Sequence, residues 1–255
     1  MKFFILNTKG GCGKTTTAVQ ILAPYCFSKN NLKPIVYDLD TMNGESTSYL
    51  KTEIFEHKKV ERLTIDHILT ESDVIFDSGA GKNGEESLNQ LIETGMFDQI
   101  DNFVIPLTSG SESAVDALNV YNSIIKNKSD ARILFVFSDC IDPNDFPLSI
   151  QFSAFYDSFN TTSETASEKY KLFIIERKGC IVWSQMYGKI AYEIGNENTR
   201  NDKLKLLEQL ISNNRDKNSI NETSEQLILI NRCIKFRHYL EKNIFVLLDK
   251  FIGDY

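Results

Sequence analysis

Short apolar segments recur along the first 180 residues and alternate with longer stretches of mixed polarity. The segments are rich in β-branched and aromatic residues, and their apolar character is nearly continuous instead of strictly alternating. That pattern is typical of strands covered on both faces in a parallel sheet. It predicts six strands, at Phe3–Asn7, Ile35–Asp38, Val74–Asp77, Phe103–Pro106, Ile133–Phe137 and Leu172–Ile175. Strands that alternate with helical segments indicate a doubly wound α/β fold with a mostly parallel sheet.

The carboxyl-terminal part of the chain is predicted to be helical. One apolar stripe at helical spacing comprises Leu240, Ile244, Leu247, Leu248 and Phe251. Polar stretches at 160–168 and 213–224 are expected to be a surface loop and a link between two helical segments. A chain of 255 residues fits one large domain, 1–255, with a helical segment of about 200–255 packed on it.

A glycine-rich segment follows the first predicted strand and precedes a helical segment. Residues 7–17 read NTKGGCGKTTT, and successive glycines let backbone N–H groups surround phosphate oxygens at a helix amino terminus. Lys14 is expected to reach the β- and γ-phosphates of ATP, and the Thr15 hydroxyl to complete a Mg²⁺ shell. The predicted nucleotide-binding residues are Gly10, Gly11, Cys12, Gly13, Lys14, Thr15 and Thr16. Pro24, ten residues into the helix that follows, predicts a kink or an early end.

Carboxylates end two of the later predicted strands. Asp38 and Asp40 close the second strand, and Asp77 closes the third. A phosphate-binding loop of this kind needs a carboxylate for the waters of Mg²⁺ and a group that positions the attacking water. The order of these strand ends after the glycine segment favours such roles over solvated loop carboxylates.

The segment K-G-G-x-G-K-T-T resembles the deviant Walker A signature of the ParA/MinD family, in which the first glycine of the strict P-loop pattern, here Thr8, is dispensable. The resemblance implies that Lys9 crosses a nucleotide-sandwich dimer to the partner's phosphates. It also implies that Asp40 positions water, Asp38 supports Mg²⁺ or the lysine, and Asp77 lies behind Mg²⁺ as a Walker B aspartate. The expected catalytic residues are Lys9, Lys14 and Asp40, and the expected metal-site residues are Thr15, Asp38 and Asp77.

Three segments depart from the usual pattern of that family. Residues 41–44 follow Asp40 where relatives often continue with Pro-Gln, and Ser78–Gly81 replaces prolines after Asp77. Ser138 and Asp139 stand where many relatives place an asparagine near adenine, so base recognition is not carried over. Only 36 residues separate Asp40 from Asp77, as in the compact plasmid-type members that lack an amino-terminal DNA-binding domain.

Charge and cysteine usage narrow the function classes. The formal net charge is −7, and residues 200–255 hold ten Lys/Arg against eight Asp/Glu, so only the carboxyl end is mildly basic. The candidate DNA contacts there are Arg200, Lys203, Lys205, Arg232, Lys235 and Arg237. The five cysteines form no C-x-x-C pair, which argues against zinc and against an iron–sulfur cluster held by one chain. Without a targeting segment, free thiols in the cytoplasm are expected.

The resemblance therefore implies a ParA-like partition ATPase. Such a protein binds ATP and Mg²⁺, forms an ATP-bound homodimer, binds nucleoid DNA and is stimulated by a DNA-bound, ParB-like adaptor. It is expected to be cytoplasmic, with nucleoid association. The alternatives are a positioning ATPase for a conjugative or secretion apparatus, an ATP-switched scaffold, and a MinD-like membrane-associated ATPase. The weakly basic terminal helix disfavours membrane binding.

Overall fold

The computed structural model describes residues 1–40, 48–49, 51–160, 171–176, 179–213 and 216–253, with the backbone alone for 171–176. The chain divides into two compact units. The first comprises Met1–Thr47 with Ile54–Arg177, and the second Ser48–Glu53 with Lys178–Tyr255. The helical segment expected from about residue 200 belongs to the second unit, and its packing on the ATPase domain stays a prediction.

The first unit is built on a sheet of seven parallel strands among the described residues. Its order is β3-β2-β4-β1-β5-β6-β7. The strands are β1 (Lys2–Ile5), β2 (Ile35–Asp38), β3 (Glu56–Lys59), β4 (Val74–Asp77), β5 (Asn102–Leu107), β6 (Ile133–Cys140) and β7 (Lys171–Glu176). All six predicted strands and the α/β class are confirmed. Sequence analysis missed β3, because its residues EHKK are polar and form the edge of the sheet.

Helices of the first unit connect these strands. They are α1 (Lys14–Thr16), a π-helical segment (Thr17–Leu22), α2 (Ala23–Asn30), α3 (Ile65–Ile68), α4 (Lys82–Glu93), α5 (Ser111–Asn127), α6 (Leu148–Gln151) and α7 (Ser153–Ser158). The helical run does not end at Pro24. The π-helical turns precede it directly, and the amide of Ala23 bonds to the carbonyl of Ala18, five residues back. The wider turns therefore lie where a proline would disturb regular α-helical bonding.

The core of the first unit follows from the apolar strands. Every residue of β2, β4 and β5 is buried, as expected for strands covered on both faces. Aromatic rings fill one side: Phe137 stacks on Phe152 with ring centroids 4.2 Å apart, and Phe135 meets Phe155 edge-on at 5.1 Å. Of the polar stretch 160–168, only Asn160 lies within the described residues.

The second unit is helical in its described part. Its helices are α8 (Gly179–Gln185), α9 (Ala191–Ile194), α10 (Glu197–Ser212), α11 (Lys217–Tyr239), a π-helical segment (Leu240–Ile244) and α12 (Phe245–Gly253). Four of the five residues in the predicted apolar stripe are buried, whereas Leu247 is 43% exposed. The link predicted at 213–224 is wrong from residue 217 onward, because those residues begin α11 and bury Thr223. None of the described helices has the length and apolarity to cross a membrane.

Close packing at Gly195 generates a stability prediction for the second unit. A Cβ added at Gly195 would lie 2.5 Å from the backbone oxygen of Cys233, so Gly195→Ala forces backbone to move. We expect a loss of about 1–3 kcal/mol in unfolding free energy, measured by urea titration of the fluorescence of Trp183, the single tryptophan of the chain. The control is Gly179→Ala, where nothing lies within 4 Å. Equal midpoints for the two variants would contradict this packing.

Candidate functional site

The glycine-rich loop is anchored by Asn7, which directly follows β1. The Asn7 side chain is fully buried. Its Nδ2 donates to the carbonyl oxygen of Pro106 in β5 at 2.7 Å, and its Oδ1 accepts from the Lys9 amide at 2.9 Å. One side chain therefore ties the start of the loop to the neighbouring strand. The sequence pattern places Asn7 at the end of the first predicted strand and indicates no role for its side chain.

Backbone geometry at two glycines shapes the loop. Gly11 has φ 70° and Gly13 has φ 91°, a left-handed region that glycine enters without steric cost. A Cβ on Gly13 would also lie 2.6 Å from Ser138 Oγ. These glycines curl the chain into a cavity of about 190 Å³, lined by Gly10–Thr16 together with Asp40, Ser78 and Ala80. All seven predicted nucleotide-binding residues thus line one cavity.

Lys14 lies inside the loop that it belongs to. Its ammonium group donates to the backbone oxygen of Lys9 at 2.9 Å and lies 3.8 Å from the Cys12 sulfur, and the residue is only 8% exposed. Burial raises the pKa of the Cys12 thiol, opposed by the charge of Lys14, so this cysteine remains a neutral lining residue. The ammonium group is therefore held at the floor of the cavity by the loop's own carbonyl.

Two carboxylates lie side by side behind the loop. The parallel register pairs Asp38 of β2 with Asp77 of β4, and the two residues are 2% and 3% exposed. The Thr15 hydroxyl donates to the Asp77 carboxylate. Burial above all raises the pKa of Asp77 to about 7, and the charges of Asp38 and Asp40 add to this, whereas the Thr15 hydrogen bond and Lys14 oppose it.

Asp40 reaches the cavity from the end of β2. Its backbone amide donates to Asp38 Oδ1 at 2.9 Å, so the carboxylate of Asp38 fixes the direction of the chain that carries Asp40. A Cβ added at Gly79 would lie 3.5 Å from the Asp40 carboxyl carbon, so the segment after β4 passes close to this side chain. The segment 41–44, which departs from the family's usual pattern directly after Asp40, lies outside the described residues.

Lys9 points away from the cavity that its neighbours line. Its ammonium group forms an ion pair with the carboxylate of Glu112 in the first turn of α5, and the two side chains are 36% and 73% exposed. The structure thus separates the two lysines of the loop, with Lys14 inside and Lys9 at the surface. The role of Lys9 toward a second subunit stays a prediction.

A scan against family models matches residues 3–254 to the CobQ/CobB/MinD/ParA nucleotide binding domain. The chain belongs to this family. The match extends through the residues of both units. It confirms the resemblance drawn from the glycine segment.

Three solved structures are similar to this chain at low sequence identity, and the first of them, with a TM-score of 0.50, shows the same fold. Apo McdA from Cyanthece is 12% identical, with a TM-score of 0.50 over 77% of this chain and 94% of that one. A plasmid partition protein from Borrelia burgdorferi B31 bound to AMPPNP is 12% identical, with a TM-score of 0.42 over 89% and 96%. Cobyrinic acid a,c-diamide synthase from Mycobacterium smegmatis with ADP and magnesium is 12% identical, with a TM-score of 0.41 over 63% and 82%. A search of curated protein sequences gave no match.

The predicted metal-site residues of this family member fit a hard divalent cation. Thr15 offers a hydroxyl and Asp38 and Asp77 offer carboxylates, which are the oxygen donors that Mg²⁺ or its bound waters prefer. Among the described residues, Asp77 Oδ1 is buried and has no hydrogen-bond partner. A buried carboxylate oxygen without a partner is unfavourable unless a ligand or water satisfies it, so a hydrated cation suits this position.

Sequence analysis missed two side chains beside these carboxylates and the loop. His57 on β3 has its Nε2 3.6 Å from Asp38 Oδ2, and Glu112 pairs with Lys9. No motif marks either residue, because His57 belongs to a polar strand and Glu112 begins an ordinary amphipathic helix. Their positions follow only from the order in which the strands pair.

The burial of Asp77 predicts a pH-dependent stability difference. An acid whose folded pKa is raised from 3.8 to about 7 destabilises the fold increasingly as pH rises between those values, because the unfolded chain ionises first. Asp77→Asn removes that titration. We expect the unfolding free energy of Asp77→Asn minus that of the wild type to grow from pH 4 to pH 7 by up to about 4 kcal/mol and then to level off.

Urea unfolding followed by circular dichroism, without nucleotide and with EDTA, measures this difference. The exposed residue Asp145 provides the control variant Asp145→Asn. A difference for Asp77→Asn that is constant across the pH range would show that the buried carboxylate does not carry the effect.

Proposed function

We propose that this family member is an ATPase that binds Mg-ATP in the cavity of its glycine-rich loop. The observation that carries this proposal is the loop itself, whose residues Gly10–Thr16, including Lys14 and Thr15, line one cavity of about 190 Å³. That volume and its polar lining suit a polyphosphate, since amides and a lysine stabilise phosphate oxygens. Bound Mg²⁺ would offset phosphate charge beside Asp77 and Asp38.

Within this site, Asp40 is the residue proposed to orient the attacking water. It lines the cavity together with the loop and is only half-buried, so its carboxylate can meet both the γ-phosphate and solvent. Its amide is fixed by Asp38, and catalysis of phosphoryl transfer depends on such positioning. Asp77, which hydrogen-bonds Thr15, is proposed to act on the metal side of the site.

We further propose that two copies close around two ATP molecules, as the deviant Walker A signature implies. Lys9 lies at the surface and reaches Glu112, so its side chain is long enough to leave the loop that carries it. In a face-to-face dimer, the same ammonium group would exchange Glu112 for the phosphates bound by the other subunit. An exposed ion pair of this kind contributes only about 0–1 kcal/mol, so the exchange is energetically accessible.

The dimer is proposed to act in DNA partition, with a ParB-like adaptor that stimulates hydrolysis. Three arginines of the predicted DNA clusters are already engaged within the second unit. Arg232 lies over the ring of Trp183, Arg237 stacks on Tyr192 and pairs with Glu241, and Arg200 pairs with Glu197. Among the described residues, Lys203, Lys205 and Lys235 form no ion pair. These lysines are therefore the proposed phosphate contacts.

Replacement of Lys14 tests the nucleotide site. Lys14→Ala removes the positive charge at the floor of the cavity, and we expect ATP affinity in the presence of Mg²⁺ to fall more than tenfold, or ~1.4 kcal/mol. Isothermal titration calorimetry measures the affinity directly. Lys82→Ala, which removes an exposed lysine of α4, serves as the control. Unchanged affinity in Lys14→Ala would refute this assignment of the loop.

DNA retardation tests the partition proposal. Asp40→Ala is used to hold the ATP state, and its dimerisation is checked by sedimentation with ATP and with ADP. We expect DNA binding with ATP alone, steep weakening with salt because phosphate contacts release counterions, and loss of binding in Lys203→Ala/Lys205→Ala. The matched control is Lys242→Ala/Lys250→Ala. An ATP-dependent dimer that binds no DNA would contradict the partition proposal. It would favour an ATP-switched scaffold, a positioning ATPase for a secretion apparatus or a membrane-associated ATPase.

A further inference from the structure

The edge strand β3 places one inward side chain beside the nucleotide site. In the sequence EHKK, Glu56, Lys58 and Lys59 are exposed and only His57 is partly buried. The side chain of His57 is 9% exposed, and its Nε2 lies 3.6 Å from Asp38 Oδ2, on a side chain that is 2% exposed. Both groups are therefore shielded from water. Electrostatic interactions between such buried groups are stronger than those between groups at the surface.

The strand register explains why this contact falls to His57. Asp38 has Lys59 as its register partner on β3 and Asp77 as its partner on β4. Lys59 is exposed and forms no ion pair with a described residue. His57 lies two residues earlier on the same face, because side chains alternate along a strand. Asp38 is thus flanked by a like-charged carboxylate on one side and by an imidazole on the other.

The two oxygens of Asp38 have different surroundings. Oδ1 accepts the backbone amide of Asp40 at 2.9 Å, and Oδ2 faces His57. A rotation of this carboxylate toward Asp77 would break the first contact and bring two carboxylates closer together. Where Nε2 of His57 carries a proton, that N–H attracts Oδ2 across 3.6 Å, a contact longer than a hydrogen bond, and opposes the rotation.

We propose that His57 is a positioning residue for the nucleotide site. It holds Asp38 in the orientation that supports Mg²⁺ and that keeps Asp40 directed into the cavity. This inference rests on the proposed function, since it concerns the Mg-ATP bound by the same cavity. In this proposal the role of the polar edge strand β3 is to carry His57, since the strand has no apolar side chain to bury.

The test compares His57→Leu, which removes the donor, with His57→Gln, whose side-chain amide can reach a similar position. In His57→Leu we expect the Mg²⁺ concentration needed for half-maximal binding of a fluorescent ATP analogue to rise about tenfold, as for other residues that orient metal ligands. We expect kcat to fall about tenfold while KM for ATP changes less than threefold. His57→Gln should recover both values to within about threefold of the wild type.

A matched control is His67→Leu, since the ring of His67 packs on Tyr37 of β2 at 4.8 Å and its Nδ1 accepts from the Thr64 amide, so neither contact involves a residue that lines the cavity. It should leave the Mg²⁺ dependence unchanged. If His57→Leu does not fold, His57→Asn replaces it. The Asn side chain is shorter than that of Gln, so its amide would lie farther from Asp38. The amide proton resonance of Asp40 in the nucleotide-free protein, observed by NMR, should move in His57→Leu and return in His57→Gln.

The outcomes separate the inference from the function on which it rests. A wild-type protein that binds no ATP at any Mg²⁺ concentration would sink the proposed function and the role of His57 together. A wild type that binds Mg-ATP normally, with the same Mg²⁺ dependence in His57→Leu, would overturn the inference alone. Equal losses in His57→Leu and His57→Gln, with lowered melting temperatures and an unmoved Asp40 resonance, would also overturn it and assign His57 a structural role.

Discussion

The burial of two carboxylates at the carboxyl ends of neighbouring parallel strands is the constraint around which this site is organised. Asp38 and Asp77 are paired by the register of β2 and β4, and both are almost inaccessible to water. Like charges so placed repel, and the raised pKa of Asp77 expresses that cost together with desolvation. The Thr15 hydroxyl and the charge of Lys14 oppose this cost at Asp77, and the Asp40 amide donates to Asp38.

A cation bound beside these carboxylates would relieve their repulsion, as protonation of Asp77 also does. Asp77 Oδ1 is buried and without a hydrogen-bond partner among the described residues, and the Lys14 ammonium group donates to a carbonyl of its own loop. Each group is therefore only partly satisfied by the protein. Stability given up at a site of this kind is recovered when ligands complete the missing interactions.

The second unit is organised by different interactions. Among its described arginines, Arg232 lies over an aromatic ring, Arg200 pairs with a glutamate, and Arg237 makes both kinds of contact, with Tyr192 and Glu241. Such contacts restrict the guanidinium groups and reduce what they can offer to another partner. The ammonium groups of Lys203, Lys205 and Lys235 are more strongly hydrated than a guanidinium group and form no ion pair among the described residues. The DNA-contact residues proposed from clusters of Lys and Arg in the sequence are therefore reduced to the lysines once the ion pairs and ring contacts of the arginines are known.

The amino-acid sequence by itself determined the six apolar strands, the glycine loop and the aspartates that end two strands. These features are local, because burial on both faces requires continuous apolar runs and phosphate binding requires glycines at fixed spacing. Only the tertiary structure decided that β3 is a strand, since EHKK carries no hydrophobic signal and is held by pairing with β2. It likewise brought His57 to Asp38 and Glu112 to Lys9, over 19 and 103 residues of chain, because strand order places distant segments side by side and no local pattern records that order.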